Sequence, residues 1–188
     1  FDSFGIMPLY PFGYGKSYTT FSNEVISVTQ EGTDIKIWVK VTNTGAEFAG
    51  KQVIQVYFSA PEGEVDRPYQ ELAGYAKSDL IYPGESMNVE VVFPIDNFAC
   101  YDDDYPARVI PGGDYIIRVG TSSRETKIEA VLTVPETVIK EKYTRLLEDD
   151  PRYAFEDMTN PGTGKAAHQA VEDAQLAACT RRFTLDMS

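Results

Sequence analysis

Apolar and polar residues alternate with a period of two over much of the stretch 24–134. The clearest case is the segment 35–41, in which every second side chain is apolar: Ile35, Ile37, Val39 and Val41. This is the period of a β-strand with one buried face. Six further segments show strand patterns: Val25–Thr29, Val53–Ser59, Leu72–Asp79, Met87–Phe93, Tyr115–Gly120 and Ile128–Val134. Turn-forming clusters of Gly, Pro and Asn separate them, so the pattern predicts about seven short strands.

Seven short strands without intervening helices are typical of an all-β antiparallel sandwich of the immunoglobulin or fibronectin type III-like kind. Antibody-type domains place a buried Trp between two paired cysteines. Here Trp38 lies instead on the strand face that also carries Lys36 and Lys40. The fibronectin type III-like variant is therefore favoured for residues 24–134.

The segments on either side of 24–134 have a different character. Residues 1–23 are predicted to be an aromatic linker, because Gly and Pro oppose a regular helix there. Its seven rings are Phe1, Phe4, Tyr10, Phe12, Tyr14, Tyr18 and Phe21. Since each ring can bury roughly 150–250 Å², we expect this segment to lie against its own sandwich or against another domain. Residues 135–188 are predicted to be a partly helical tail, with helices over Val138–Leu147 and Lys165–Thr180.

Charge and composition argue against several classes of protein. The 188 residues include 17 basic and 29 acidic ones, for a net charge of −12, so nucleic-acid binding is not expected. The sequence contains no run of about 18 apolar residues, so no membrane span is predicted. No signal-peptide pattern is visible either, and localisation, cytoplasmic or secreted, stays open. Cys100 and Cys179 fit no zinc or redox motif, and two lone buried thiols are favoured over one disulfide.

The candidate catalytic and metal-binding motifs do not have the required spacing. Asp102-Asp103-Asp104 lacks the alternating ligands of a calcium loop, so a solvated loop is favoured. Residues 161–165, Pro-Gly-Thr-Gly-Lys, lack the first Gly and the final Ser or Thr of a phosphate-binding loop. His168 is the only histidine, which argues against a histidine metal cluster or a catalytic triad. We therefore assign no catalytic, cofactor-binding or metal-binding residue.

Trp38 is a candidate for an interaction. On an exposed sheet face its ring could contact another domain, be covered by the stems of the neighbouring lysines, or stack on a sugar ring. Contact with another domain is the favoured interpretation.

Residues 8–21, with the sequence Pro-Leu-Tyr-Pro-Phe-Gly-Tyr-Gly-Lys-Ser-Tyr-Thr-Thr-Phe, carry a resemblance to a known family. They closely resemble the segment that leads into the fibronectin type III-like domain of family-3 glycoside hydrolases. The likeness continues through Val41-Thr42-Asn43-Thr44-Gly45, Glu71-Leu72-Ala73-Gly74-Tyr75 and Pro111-Gly112-Gly113-Asp114-Tyr115. It covers about residues 8–134.

The resemblance implies a function by association. Members of this family are mostly β-glucosidases and their relatives, which release terminal sugars with retention. Their nucleophilic Asp lies in a barrel domain and their acid/base usually in an α/β sandwich domain, and neither domain's motifs occur here. The chain alone is thus expected to be a non-catalytic accessory domain, a fragment without the catalytic domains, that needs no cofactor.

Its expected partners are the catalytic domains of the same parent chain. The residues expected to make that contact are Tyr10, Phe12, Tyr14, Tyr18 and Trp38. The alternative is a carbohydrate-binding or interaction module, with oligosaccharide as a further partner, that helps to recruit a polysaccharide substrate. In some members of the family the barrel follows this domain, and residues 135–188 would then be a linker towards it.

Overall fold

A computed structural model describes residues 6–63, 65, 67–145 and 172–188. Within these residues the chain forms eleven β-strands: β1 (Phe21–Glu31), β2 (Asp34–Asn43), β3 (Val53–Ser59), β4 (Glu71–Lys77), β5 (Ser86–Pro94), β6 (Cys100–Asp102), β7 (Ala107–Ile110), β8 (Gly113–Gly120), β9 (Thr126–Val134), β10 (Val138–Lys142) and β11 (Arg182–Thr184). A short 3₁₀ helix, Ile95–Phe98, lies between β5 and β6. Residues 172–178 are α-helical.

The strands form two larger sheets and one small sheet. The three-stranded sheet has the order β1-β2-β5, the five-stranded sheet β11-β9-β8-β3-β4, and the small sheet β10-β7-β6. Neighbouring strands are antiparallel except for β11, which runs parallel to β9. All seven predicted strands are present, as β1 to β5, β8 and β9. The predicted all-β fibronectin type III-like sandwich is therefore confirmed.

The core is a single cluster to which both larger sheets contribute. The alternating apolar residues of β2, which are Ile35, Ile37, Val39 and Val41, are completely buried. The five-stranded sheet supplies the buried side chains of Ile54, Val56 and Phe58 from β3 and of Tyr115 and Ile117 from β8. Each of these large side chains stabilises the fold by about 1.5–3 kcal/mol through its burial.

A buried aromatic stack links the 3₁₀ helix to the five-stranded sheet. The Phe98 ring stacks on the Tyr115 ring at a centroid distance of 4.3 Å and an interplanar angle of 11°. The Phe98 and Phe58 centroids lie 4.8 Å apart. The Tyr115 hydroxyl donates a 2.9 Å hydrogen bond to the carbonyl oxygen of Pro111, which is the tyrosine-corner arrangement of β-sandwiches. Burial raises the pKa of Tyr115, so its hydroxyl remains a hydrogen-bond donor at neutral pH.

One prediction for the tail is wrong. The segment Val138–Lys142, predicted to be helical, forms strand β10 and pairs antiparallel with β7. Its two β-branched residues, Val138 and Ile139, favour a strand, and a short isolated helix is only marginally stable. Residues 146–147 lie outside the described part of the chain. In the second predicted helix, 165–180, residues 172–178 are helical, while 165–171 lie outside the described residues.

The last residues of the chain return to the sandwich and bridge its two larger sheets. Strand β11 extends the five-stranded sheet beside β9, and the following Leu185 is buried in the core. Arg181 contacts a Glu129 carboxylate oxygen at 3.1 Å and the carbonyl oxygen of Val25 in β1 at 2.7 Å. The Gln30 side chain donates to the backbone oxygen of Asp186 at 2.6 Å and accepts from its nitrogen at 2.8 Å. We call residues 181–187 the closing segment.

Leu185→Ala should lower the free energy of unfolding by about 2–4 kcal/mol, because it removes a buried side chain and leaves a cavity between the sheets. Leu80→Ala is the matched control, since Leu80 is about half exposed. Urea unfolding followed by circular dichroism measures both variants. Equal unfolding midpoints for the two variants would show that the closing segment does not contribute to the core.

Candidate interaction surface

The aromatic segment, residues 6–20, presents its rings to solvent. Tyr10, Phe12 and Tyr18 are 69%, 67% and 93% exposed, and Tyr14 is nearly half exposed. The Tyr10 and Tyr14 ring centroids lie 5.4 Å apart, and Tyr18 lies 6.4 Å from Phe48 in the loop after β2. The sequence predicts that this segment lies against its own sandwich or against another domain. Its own sandwich leaves most of the Tyr10, Phe12 and Tyr18 side chains exposed.

The backbone of the same segment is held in place at its first turn. Phe12 accepts a 2.9 Å hydrogen bond from the backbone nitrogen of Ser123, and Tyr14 donates one of 2.9 Å to Pro11. Gly13 has a φ of +81°, and a Cβ there would lie 2.1 Å from the amide nitrogen of Gln55. Both the conformation and the close approach therefore require glycine. Gln55 is fixed in turn by hydrogen bonds with the Thr121 carbonyl oxygen and the Tyr57 hydroxyl.

A second anchor is the buried amide of Asn43, at the end of β2. Its oxygen accepts from the Thr19 hydroxyl at 2.6 Å and from the Gly45 nitrogen at 3.0 Å. Its nitrogen donates to the carbonyl oxygens of Phe48 at 3.0 Å and Ile81 at 2.9 Å. All four hydrogen-bonding positions of the amide are thus used. Asn43 joins the aromatic segment to the loop after β2 and to the chain before β5.

Trp38 lies on a different surface. The strand register places it between Ser27 of β1 and Glu90 of β5, on the outer face of the three-stranded sheet. It is 38% exposed, as expected for the face opposite Ile37 and Val39. Within the described residues its ring contacts no ring of the aromatic segment. The five predicted contact residues therefore belong to two surfaces.

A buried arginine forms a site that the sequence did not reveal. Arg118 of β8 donates to the Ser59 hydroxyl and to a Glu172 carboxylate oxygen, both at 3.0 Å. Its guanidinium lies 5.0 Å from the centre of the Tyr69 ring, beside a cavity of about 510 Å³. Burial lowers the pKa of Arg118 to about 10, which leaves it charged at neutral pH. The Arg118–Glu172 pair attaches the helix 172–178 to the sandwich across 54 residues of sequence.

The other residues considered in the sequence have ordinary structural positions or lie outside the described part. An Asp102 carboxylate oxygen accepts hydrogen bonds from the backbone nitrogens of Asp104 and Tyr105 and stabilises the turn between β6 and β7. Cys100 and Cys179 are free and partly buried in the structure. Residues 161–165 and His168 lie outside the described residues.

The described part of the chain contains neither a cluster of metal-binding side chains nor a helix that could span a membrane. No group of three or more His, Cys, Asp or Glu side chains is placed to hold a metal ion there. No helix in that part of the chain is long and apolar enough to cross a membrane.

Comparison with known proteins explains this architecture. A family model described as a fibronectin type III-like domain matches residues 52–123. This part of the chain is a fibronectin type III-like domain. β-Glucosidase A of Butyrivibrio fibrisolvens is 39% identical over 63% of this chain, and thermostable β-glucosidase B of Acetivibrio thermocellus is 35% identical over 77% of it. Among solved structures, a β-glucosidase from Paenibacillus barengoltzii has 38% identity over 73% of this chain, with a TM-score of 0.69.

The fibronectin type III-like domain is a small part of these relatives. The chain spans 16% of the Butyrivibrio protein, 20% of the Acetivibrio protein and 16% of the Paenibacillus structure. β-Glucosidase 3B of Thermotoga neapolitana, solved in complex with α-D-glucose, is covered to 19% at 39% identity, with a TM-score of 0.67. The resemblance to family-3 β-glucosidases is confirmed, and in those relatives the matched region is one part of a much longer chain.

Asn43→Asp should lower the free energy of unfolding by about 2–4 kcal/mol, because a carboxylate cannot donate to Phe48 and Ile81 and would be buried beside their carbonyl oxygens. Asn88→Asp, the same change at an exposed position of β5, is the control. Urea unfolding gives the two free energies, and amide exchange at Thr44 and Ser123 reports whether the aromatic segment loosens. An Asn43→Asp variant as stable as the control would show that this amide is not an anchor.

Proposed function

We propose that the chain is the accessory domain of a family-3 glycoside hydrolase of the β-glucosidase type. Its catalytic domains, elsewhere in the same protein, would hydrolyse terminal β-D-glycosidic bonds with retention. The domain itself contributes no catalytic residue and stabilises the arrangement of those catalytic domains by packing against them. The names of the relatives and the small fraction of their length that this chain covers support this proposal.

The observation that carries the proposal is the contrast between backbone and rings in the aromatic segment. Its backbone is fixed by hydrogen bonds to Ser123 and Thr44, and Asn43 binds its Thr19 side chain. Its rings nevertheless lie in water, which is costly for so many aromatic groups at one place. A rigid segment with uncovered rings is the arrangement expected of one side of an apolar contact, because little conformational entropy is lost when the partner binds.

The outer face of the three-stranded sheet is the second part of the proposed contact. Trp38 lies there together with the exposed side chains of Ile26 and Val92. Lys36, with its ion pair to Glu31 at 2.5 Å, lies on the same strand and keeps the face partly charged. A central aromatic residue with a polar surround is typical of the few residues that dominate the energy of protein contacts. We propose that Trp38 also packs against a catalytic domain.

The triple variant Tyr10→Ala, Phe12→Ala, Tyr14→Ala tests the proposal. In a protein that contains this domain together with its catalytic domains, the variant should lower the melting temperature by at least about 5 °C. Turnover of an aryl β-glucoside at 25 °C should remain, because no catalytic group is removed. In the chain alone the same variant should change the melting temperature by no more than about 2 °C, since the rings are already in water there.

The matched control is Tyr75→Ala with Tyr82→Ala, since both rings are exposed and lie outside the aromatic segment. Calorimetry of the triple variant and of the control variant, each in the longer protein and in the chain alone, gives the four melting temperatures to be compared with those of the unmodified proteins. Unchanged melting and activity in the longer protein would contradict the proposal. An equal loss of stability in the chain alone would also contradict it, because the rings would then act only within this domain.

A further inference from the structure

The small sheet β10-β7-β6 bears an open groove that the interdomain contact does not use. The groove has a volume of about 330 Å³ and is lined by Ala99, Cys100, Tyr101, Arg108 and Tyr143. Its volume is at the lower end of the range for small-molecule sites, roughly 300–1,000 Å³. The Tyr101 and Tyr143 rings have centroids 5.9 Å apart and planes tilted by 46°, so they form two adjoining inclined surfaces. The two residues are 46% and 43% exposed.

A guanidinium group in this groove is held in a fixed position. Arg108 lies beside Tyr101 in the register of β6 and β7. Its Nη2 contacts an Asp96 carboxylate oxygen at 2.6 Å and the Asp96 backbone oxygen at 3.1 Å. Lys140 contacts the other carboxylate oxygen of Asp96 at 3.1 Å. Hydrogen bonds from Lys140 and Arg108 lower the pKa of Asp96, so the carboxylate stays ionised and keeps the guanidinium in place.

Donors and acceptors remain available in the groove. Both contacts of Arg108 use Nη2, which leaves the N–H groups of Nε and Nη1 directed to no partner among the described residues. The Tyr143 hydroxyl donates to a Glu141 carboxylate oxygen at 2.7 Å, so its own oxygen is free to accept a hydrogen bond. The site thus combines aromatic faces with fixed donors and an acceptor at its edge.

This combination suits a sugar better than a protein partner. The C–H face of a pyranose ring packs on an aromatic ring, and its hydroxyl groups bond to charged planar side chains. The surrounding charges of Asp96, Arg108, Lys140 and Glu141 would be costly to bury under a second domain, because charged residues are depleted from the centres of protein contacts. A small polar ligand leaves most of these charges hydrated.

We propose that this groove binds a pyranose unit of an oligosaccharide, packed against the inclined rings of both Tyr101 and Tyr143 and hydrogen-bonded to Arg108. The groove would then retain a carbohydrate chain on the domain, away from the aromatic segment and from Trp38. The choice of cellotetraose and laminaritetraose, two oligosaccharides of β-linked glucose, among the ligands to be tested rests on the proposed function. The presence of the groove does not.

Calorimetric and NMR titrations of the intact chain test the proposal, with cellotetraose, laminaritetraose, xylotetraose and mannotetraose at millimolar concentration. We expect saturable binding of at least one of them. Tyr101→Ala and Tyr143→Ala should each raise the dissociation constant about tenfold or more, as expected from the loss of one stacking contact. Tyr101→Phe keeps the ring and should bind almost like the unmodified chain. Tyr75→Ala, at an exposed tyrosine of β4, is the control for folding and for non-specific stacking.

Two results would overturn the proposal. One is the absence of binding to all four oligosaccharides by the folded chain. The other is binding that is lost in Trp38→Ala and kept in Tyr101→Ala and Tyr143→Ala, which would move the site to the three-stranded sheet. Neither result would contradict the proposed interdomain contact, because that proposal is tested by the melting temperature of the longer protein and not by sugar binding.

Discussion

The buried amide of Asn43 forms four hydrogen bonds, one of which holds the Thr19 side chain of the aromatic segment, and the proposed surface depends on this anchor. The amide joins Thr19 to the loop after β2 and to Ile81. At the other end of the segment, Gly13 lies against the side chain of Gln55 in a conformation that other residues rarely adopt. Around these two anchors the side chains of Tyr10, Phe12 and Tyr18 are mostly exposed, and Tyr14 is nearly half exposed. The domain therefore fixes the backbone of this segment while much of its ring surface stays exposed.

Contacts between residues that are far apart in the sequence help to stabilise the sandwich that supplies these anchors. Tyr115 bonds to Pro111 and stacks on Phe98, which connects the 3₁₀ helix to β8. The closing segment adds a parallel strand to β9 and contacts β1 through Arg181 and Gln30. Both larger sheets are thus held together by side chains from the last residues of the chain. The Arg118–Glu172 pair adds a third connection between tail and sandwich.

The seven main strands could be predicted because each has at least seven residues and lies between turn-forming clusters; the period of two is clear in β2, whereas β3 is buried at nearly every position. Strands β6, β7 and β11 have only three or four residues, too few for a pattern. Strand β10, Val-Ile-Lys-Glu-Lys, has no alternation and is defined by its pairing with β7. The rings of the aromatic segment were evident from the sequence, but their exposure was not, because it depends on where Asn43 and Gln55 fix the backbone. The groove at Tyr101 and Tyr143 brings together residues 42 positions apart and gave no sequence signal.

The central proposal is that the fixed aromatic segment packs its rings against a catalytic domain. Hydroxyl-radical footprinting of Tyr10, Phe12, Tyr14 and Tyr18 tests this proposal most directly. The chain alone and a longer protein that contains the catalytic domains would be oxidised side by side, with Tyr75 as an internal reference. The interdomain contact predicts strong oxidation of the four rings in the chain alone and protection of at least Tyr10, Phe12 and Tyr14 in the longer protein. Equal oxidation of these rings in both proteins would contradict it.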